Sequence, residues 1–177
     1  MSSYREPIEN RLQDAILDAI LPHKVHQMLK EGDKAPDIQL DSDTGEPFRL
    51  SSLKGKKVVL YFYPRADTPG CTVEACEFRD NSREFAKKNV AIVGLSPDAV
   101  KSQAKFKDKF SLPFTLLCDV DKAAAQAYGV YKEKNMYGKK VMGIERTTFI
   151  IGEDGSIAKI FPKVKAQGHA EQVLTSL

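Results

Sequence analysis

The sequence predicts an α/β domain, with a central mixed sheet flanked by helices. Two near-continuous apolar runs, Lys57–Tyr63 and Val90–Leu95, have the composition of strands buried on both faces. A segment that reads as helix comes after each of them. Turn signals at Thr44-Gly45 and Asp154-Gly155 mark hairpins towards either end of the chain. Alternating strands and helices imply helices packed on both faces of one sheet.

Taken in order, residues 8–29 read as a helix, because Ile8, Leu12, Ala15, Ile16, Ala19 and Ile20 recur at spacings of three and four. Pro22 breaks or kinks it, and Gly32 ends the segment beyond the proline. The segments Asp37–Leu40 and Pro47–Leu50 make the first hairpin. After the strand Lys57–Tyr63 comes the loop Pro64–Pro69, and residues 70–88 read as one helix. Beyond Val90–Leu95, Ser96-Pro97-Asp98 reads as a helix start: a serine cap, a proline in the first turn and an acid at the positive end of the dipole. That helix runs to about Lys109. Phe114–Leu117 is a short strand, Lys122–Tyr128 a short helix closed by Gly129, and Lys132–Gly143 a polar surface loop. Thr147–Ile151 and Ser156–Phe161 form the second hairpin, and the last ten residues form a terminal helix. A parallel core carrying an N-terminal β-hairpin, a C-terminal edge hairpin and an extra N-terminal helix fits a thioredoxin-like layout.

Composition narrows the function. The chain has 177 residues, 42% hydrophobic and 29% charged, which suits one compact domain and is too little for two. The net charge of +3 is small and its charges are interspersed, so no nucleic-acid partner is expected. Lys101–Lys109 reads as the solvated face of an amphipathic helix, with Ala104, Phe106 and Phe110 turned inward. No apolar run approaches the roughly 18–20 residues of a membrane span, so no membrane is expected. Three cysteines, Cys71, Cys76 and Cys118, do not make a secreted disulfide framework. The N-terminus lacks the pattern of a signal peptide, and Glu6, Glu9, Asp14 and Asp18 do not suit a transit peptide. A reducing cytoplasmic setting is expected.

The chemistry concentrates in Tyr61–Cys76. Sites in open α/β sheets form beyond the carboxyl ends of strands, where the loop after Lys57–Tyr63 lies. Thr68 suits the N-cap and Pro69 the first helical position. Cys71 then falls in the first turn, beside unpaired backbone N–H groups and the positive dipole end. Such surroundings favour the thiolate, which is the reactive form of cysteine. Cys76 stands five residues later. On an intact helix the pair would stand ~140° apart around the axis and ~7.5 Å apart along it, and a disulfide needs Cα atoms within about 7 Å. If the two pair, the first turns must unwind. The C-x₄-C spacing is not the C-x₂-C of a zinc half-site or a thioredoxin-type couple, and His23, His26 and His169 supply no clustered ligand set.

These residues closely resemble the peroxiredoxins, and specifically the bacterioferritin comigratory protein, or peroxiredoxin Q, subfamily. The motif P-x-x-x-T-x-x-C is present as Pro64, Thr68 and Cys71, inside Tyr61-Phe62-Tyr63-Pro64 and Thr68-Pro69-Gly70-Cys71-Thr72, with Cys76 beyond. Phe114-Thr115-Leu116-Leu117 and Gly143-Ile144-Glu145-Arg146-Thr147-Thr148-Phe149 match further along. The resemblance spans about residues 32–177, one thioredoxin-like peroxiredoxin domain, and leaves residues 1–31 as an N-terminal helical extension longer than is usual for the subfamily. It implies a thiol peroxidase acting on hydrogen peroxide and organic hydroperoxides. In it Cys71 is the peroxidatic cysteine, Thr68 bonds the peroxide and the sulfur, and Pro64 shields the thiolate. Arg146 holds the thiolate and polarises the peroxide, and Cys76 is the resolving cysteine. The resemblance further implies thioredoxin or a similar dithiol as reductant and no cofactor or metal; a monomer or weak dimer is expected. Cys118, on an apolar strand, reads as a buried structural thiol. The alternative is a thioredoxin-like dithiol–disulfide oxidoreductase acting on protein substrates, against which the C-x₄-C spacing and the Pro64/Thr68 pattern count.

Overall fold

The computed structural model describes residues 28–177. The helix expected over residues 8–29 lies outside the described residues except for Met28 and Leu29, which are not helical. The strands are β1 (Gln39–Ser42), β2 (Pro47–Arg49), β3 (Lys57–Phe62), β4 (Val90–Ser96), β5 (Thr115–Cys118), β6 (Tyr131–Met136), β7 (Lys139–Ile144), β8 (Thr147–Ile151) and β9 (Ile157–Phe161). The helices are α1 (Pro69–Asp80), α2 (Ser82–Lys87), α3 (Val100–Phe110), α4 (Ala123–Ala127) and α5 (His169–Thr175). Among the described residues none is long and apolar enough to cross a membrane.

The main sheet runs β2-β1-β5-β4-β3-β8-β9. Its centre, β5-β4-β3, is parallel; the hairpins β1–β2 and β8–β9 close it with antiparallel pairings. This is the mixed sheet between helices that the sequence predicts. The apolar run of β3 is explained by what lies on either side. Val59, Tyr61 and Tyr63 point into a core shared with α1, α2, α3 and α5, while Val58, Leu60 and Phe62 point into a second core shared with α4. A strand covered on both sides has no polar face to alternate with.

Three segments depart from the sequence expectations. Residues 70–88 are two helices, not one. At Asn81 the backbone leaves helical geometry (φ −95°, ψ 2°), and the Asn81 side-chain amide donates to the Glu77 carbonyl at 2.9 Å. Asp80-Asn81-Ser82 is a run of residues whose side chains compete for backbone groups. Ser96-Pro97-Asp98 does not cap a helix either: α3 begins at Val100 with Ala99 as N-cap, and Ser96 is a buried strand end. Finally, Lys132–Gly143 is no irregular loop but the β6–β7 hairpin, paired from Tyr131↔Ile144 to Met136↔Lys139. Its turn places Tyr137 (φ 52°) and Gly138 (φ 76°) in the left-handed region, the geometry that lets a two-residue turn match strand twist. Most of the hairpin is exposed on both faces, so no apolar alternation marks it in the sequence.

Phe149 of β8 fills the second core, meeting Phe62 at a centroid distance of 5.8 Å and Tyr128 at 5.0 Å, both edge-on. Phe149→Ala is expected to destabilise the fold by about 3–5 kcal/mol, as large core truncations do. Urea denaturation measures it; a loss below about 1 kcal/mol would mean the site collapses to fill the gap.

Candidate active site

The site is built where β3 ends beside the start of β8. The antiparallel register pairs Phe62 with Thr147, so the residue before β8, Arg146, lies beside the residues that leave β3. From there the chain runs through Tyr63–Thr68 into α1. Thr68 is the N-cap and Pro69 the first helical residue, as expected. The Thr68 hydroxyl, however, does not cap the helix: it donates to the Arg65 carbonyl at 2.8 Å, while the Thr68 carbonyl accepts from the Thr72 N–H at 2.9 Å.

Helix α1 buries Cys71, Glu74, Ala75 and Phe78. These recur at three and four residues, one stripe facing the sheet. Cys71 is 2% exposed. The Arg146 Nη2 group donates to its Sγ at 3.3 Å. The other arm, Nη1, donates to Glu74 Oε2 at 2.6 Å. One guanidinium therefore bridges the sulfur and a carboxylate one helical turn apart. Gly70 makes room for it, since a Cβ there would stand 3.2 Å from Nη2, tighter than ordinary contact.

Burial and charge pull against each other here. Glu74 is fully buried, and burial pushes its carboxyl up from 4.5 to about 7, against the pull of Arg146. Its second oxygen, Oε1, has no hydrogen-bond partner among the described residues. Burial also works against the Arg146 charge, but Glu74 and Cys71 together outweigh it and hold the guanidinium pKa above its ordinary value. Lys134 of the β6–β7 hairpin donates to the Ile144 carbonyl, two residues before Arg146. Burial first, and then Arg146, hold its ammonium below the usual lysine range. The Tyr61 hydroxyl, buried without a partner among the described residues, is pushed well above its ordinary value by burial, with Tyr63, Glu74 and Cys71 adding to it.

Of the residues singled out in the sequence, Cys71 and Arg146 meet directly. Thr68 and Pro64 belong to the loop before α1, with Pro64 exposed. Cys76 is half-buried, a free thiol off the inward stripe, and Cys71 is free as well. Cys118 ends β5, buried, with its thiol pushed up to about 11 by burial and then by Asp43 and Asp41. Glu74 was not anticipated. The signal for it existed: it stands three residues from Cys71 on the stripe Cys71-Glu74-Ala75-Phe78, where an acid is out of place unless paired.

The chain is similar to known proteins of one family. The family model of the AhpC/TSA family matches residues 31–160. The chain is 52% identical over 149 residues to the putative peroxiredoxin bcp of Coxiella burnetii (strain RSA 493 / Nine Mile phase I), covering 84% of this chain and 99% of that protein. It is 42% identical over 149 residues to peroxiredoxin Bcp of Escherichia coli (strain K12), covering 84% and 96%. Among solved structures, the bacterioferritin comigratory protein of Xanthomonas campestris, studied as a trapped intermediate/ligand complex for its alkyl peroxide reduction activity, aligns with a TM-score of 0.78. The identity is 40%, over 83% of this chain and 96% of that one. A mutant of Xylella fastidiosa PrxQ aligns with a TM-score of 0.80 at 36% identity, over 85% and 96%.

The buried carboxyl has a measurable consequence. Glu74 holds its proton more tightly folded than an ordinary glutamate does, so its contribution to stability is full below about pH 4.5 and is lost as the pH rises to about 7. Glu74→Gln cannot ionise. Across that window the stability difference is expected to move in the variant's favour by roughly 1 kcal/mol per pH unit. A series of urea denaturations spanning the window checks it, and a flat difference contradicts it.

Proposed function

The chain belongs to the AhpC/TSA family and is a thiol-dependent peroxidase of the peroxiredoxin class, and on that premise we propose that Cys71 is the nucleophile and Cys76 the thiol that resolves it. One observation carries the assignment of Cys71: the Arg146 guanidinium is aimed at the sulfur of a cysteine in the first turn of a helix. A guanidinium keeps its charge and offers several donors, so it can hold a sulfur anion and an oxyanion forming beside it.

In the first step the Cys71 thiolate attacks the distal oxygen of the peroxide. The S–O bond forms as the O–O bond breaks. The leaving oxygen takes a proton and departs as water or an alcohol, and Cys71 is left as a sulfenic acid. Arg146 stabilises the negative charge on both the entering sulfur and the departing oxygen. Thr68 and Pro64, on the loop that leads into α1, are the residues proposed to hold the peroxide and to limit water at the sulfur.

In the second step the Cys76 sulfur attacks the sulfenic sulfur, water leaves and a disulfide forms. The two cysteines occupy different faces of α1, so the turns between them must open first. A thioredoxin-type dithiol then attacks the disulfide, and two exchanges return both thiols while the reductant becomes a disulfide. Hydrogen peroxide and organic hydroperoxides are the proposed substrates. The alkyl peroxide activity studied in the Xanthomonas campestris relative supports the organic class.

Peroxide consumption with a thioredoxin system tests the roles. Cys71→Ser is expected to be inactive, and Cys76→Ser to consume one equivalent and stop. A Cys76→Ser protein that turns over normally sinks the resolving role. Arg146→Gln should slow the single-turnover reaction with peroxide by about 10²–10³-fold, the usual loss for one oxyanion donor. A stopped-flow rate within about threefold of wild type would remove Arg146 from the mechanism.

A further inference from the structure

The segment Ser96-Pro97-Asp98, which does not start a helix, is tied instead to the loop in front of Cys71. The Ala66 N–H, in the middle of that loop, donates to Asp98 Oδ2 at 2.7 Å. The Ser96 hydroxyl donates to the same oxygen at 2.6 Å. Behind Ser96 stands a fully buried glutamine of α3: Gln103 Nε2 donates to Ser96 Oγ at 2.9 Å and to the Leu117 carbonyl at 2.9 Å. Gln103 Oε1 in turn accepts from the Tyr63 hydroxyl at 2.6 Å. Tyr63, Ser96 and Gln103 are all 0% exposed.

The direction of every bond is forced. The Leu117 carbonyl can only accept, so the Gln103 amide must present its nitrogen there and its oxygen to Tyr63. The Ser96 oxygen already accepts from Gln103 and from the Asp98 N–H at 3.3 Å, so its one proton goes to Asp98. The carboxylate is thus held by a chain anchored in the core, and a satisfied buried chain is rigid. A second tie, from Lys109 of α3 to Asp67 at 2.9 Å, is exposed and worth little by itself.

We propose that Asp98 is a positioning residue for the peroxide reaction: through the Ala66 N–H it fixes the Pro64–Thr68 loop, and with it the N-cap of the helix that carries Cys71. The proposal rests on the assignment of Cys71 above. It gives α3 and the end of β4 a part in the chemistry, with no contact to the reacting atoms. It also means that the loop has a tie to the segment after β4 that is separate from its bond to α1 at Thr72.

The test compares two reactions of the same sulfur in the full chain: stopped-flow oxidation by hydrogen peroxide, which needs the loop, and alkylation by iodoacetamide over a pH series, which needs only the thiolate that Arg146 stabilises. Asp98→Ala is expected to lose about tenfold in the peroxide rate while its alkylation rate stays within about twofold of wild type and the midpoint of its pH profile is unmoved. Asp98→Asn keeps an oxygen that can accept both donors and should recover to within about threefold of wild type. A peroxide rate in folded Asp98→Ala within threefold of wild type overturns the proposal, as does a parallel fall in both reactions or an equal loss in Asp98→Asn. Should Asp98→Ala fail to fold by circular dichroism, Ser96→Ala takes its place: a loss of about threefold in the peroxide rate is expected, and a wild-type rate overturns the proposal. A wild-type protein that alkylates at Cys71 but leaves peroxide untouched removes the peroxidase assignment and this proposal together.

Discussion

Arg146 forks between the Cys71 sulfur and the Glu74 carboxylate, in a site almost closed to water. A buried charge without a partner is costly, and each of these groups is the other's reason for being tolerated there. The guanidinium is desolvated, and two acidic neighbours outweigh that. The carboxyl is desolvated, and the guanidinium only partly restores its ionisation. The sulfur is the third member, joined through Arg146 to a carboxyl that burial makes harder to ionise. The sheet, the helix and the glycine before the cysteine all serve to bring these three groups together.

The sheet does so by register. Cys71 and Arg146 are 75 residues apart in sequence, and their meeting depends on β3 pairing with β8 at Phe62↔Thr147. A slip of one residue would turn every side chain of β8 to the other face. Register is protected because both faces of β8 are buried. The core that stabilises the fold is therefore also the device that sets the site to within a hydrogen bond.

In the proposed mechanism helix α1 has two tasks that conflict. Its inward stripe, from Cys71 to Phe78, belongs to the core, and Phe78 packs against Tyr61, Phe85 and the His169 ring. Yet a bond between Cys71 and Cys76 requires its first turns to open. The ties along it are uneven. Glu77 accepts from the Gly168 N–H at 2.8 Å and Arg79 donates to the Phe110 carbonyl at 2.8 Å, both beyond Cys76. Ahead of Cys71, the Asp98 chain holds the loop. Between these moorings lie the turns that carry the two cysteines.

Much of this was legible in the chain alone. The apolar runs of β3 and β4, the two hairpin turns, and the Thr68-Pro69-Gly70-Cys71 helix start are local patterns with local causes. The family motif marked Cys71, Cys76 and Arg146 by number. Other features were not local. Asn81 splits a helix because its side chain takes a backbone carbonyl, and β6–β7 pairs without an apolar pattern because water bathes most of it. Ser96 and Asp98 have the composition of a helix cap, but the cap they form serves a loop some thirty residues earlier in the chain. The cysteine at a helix start was already written in the order of amino acids, because a helix N-terminus and a cysteine are defined within a few residues of each other. What faces them was settled by the folded chain. The carboxylate of Glu74, the fork of Arg146 and the anchor at Asp98 meet through strand register and burial, which no stretch of neighbouring residues encodes.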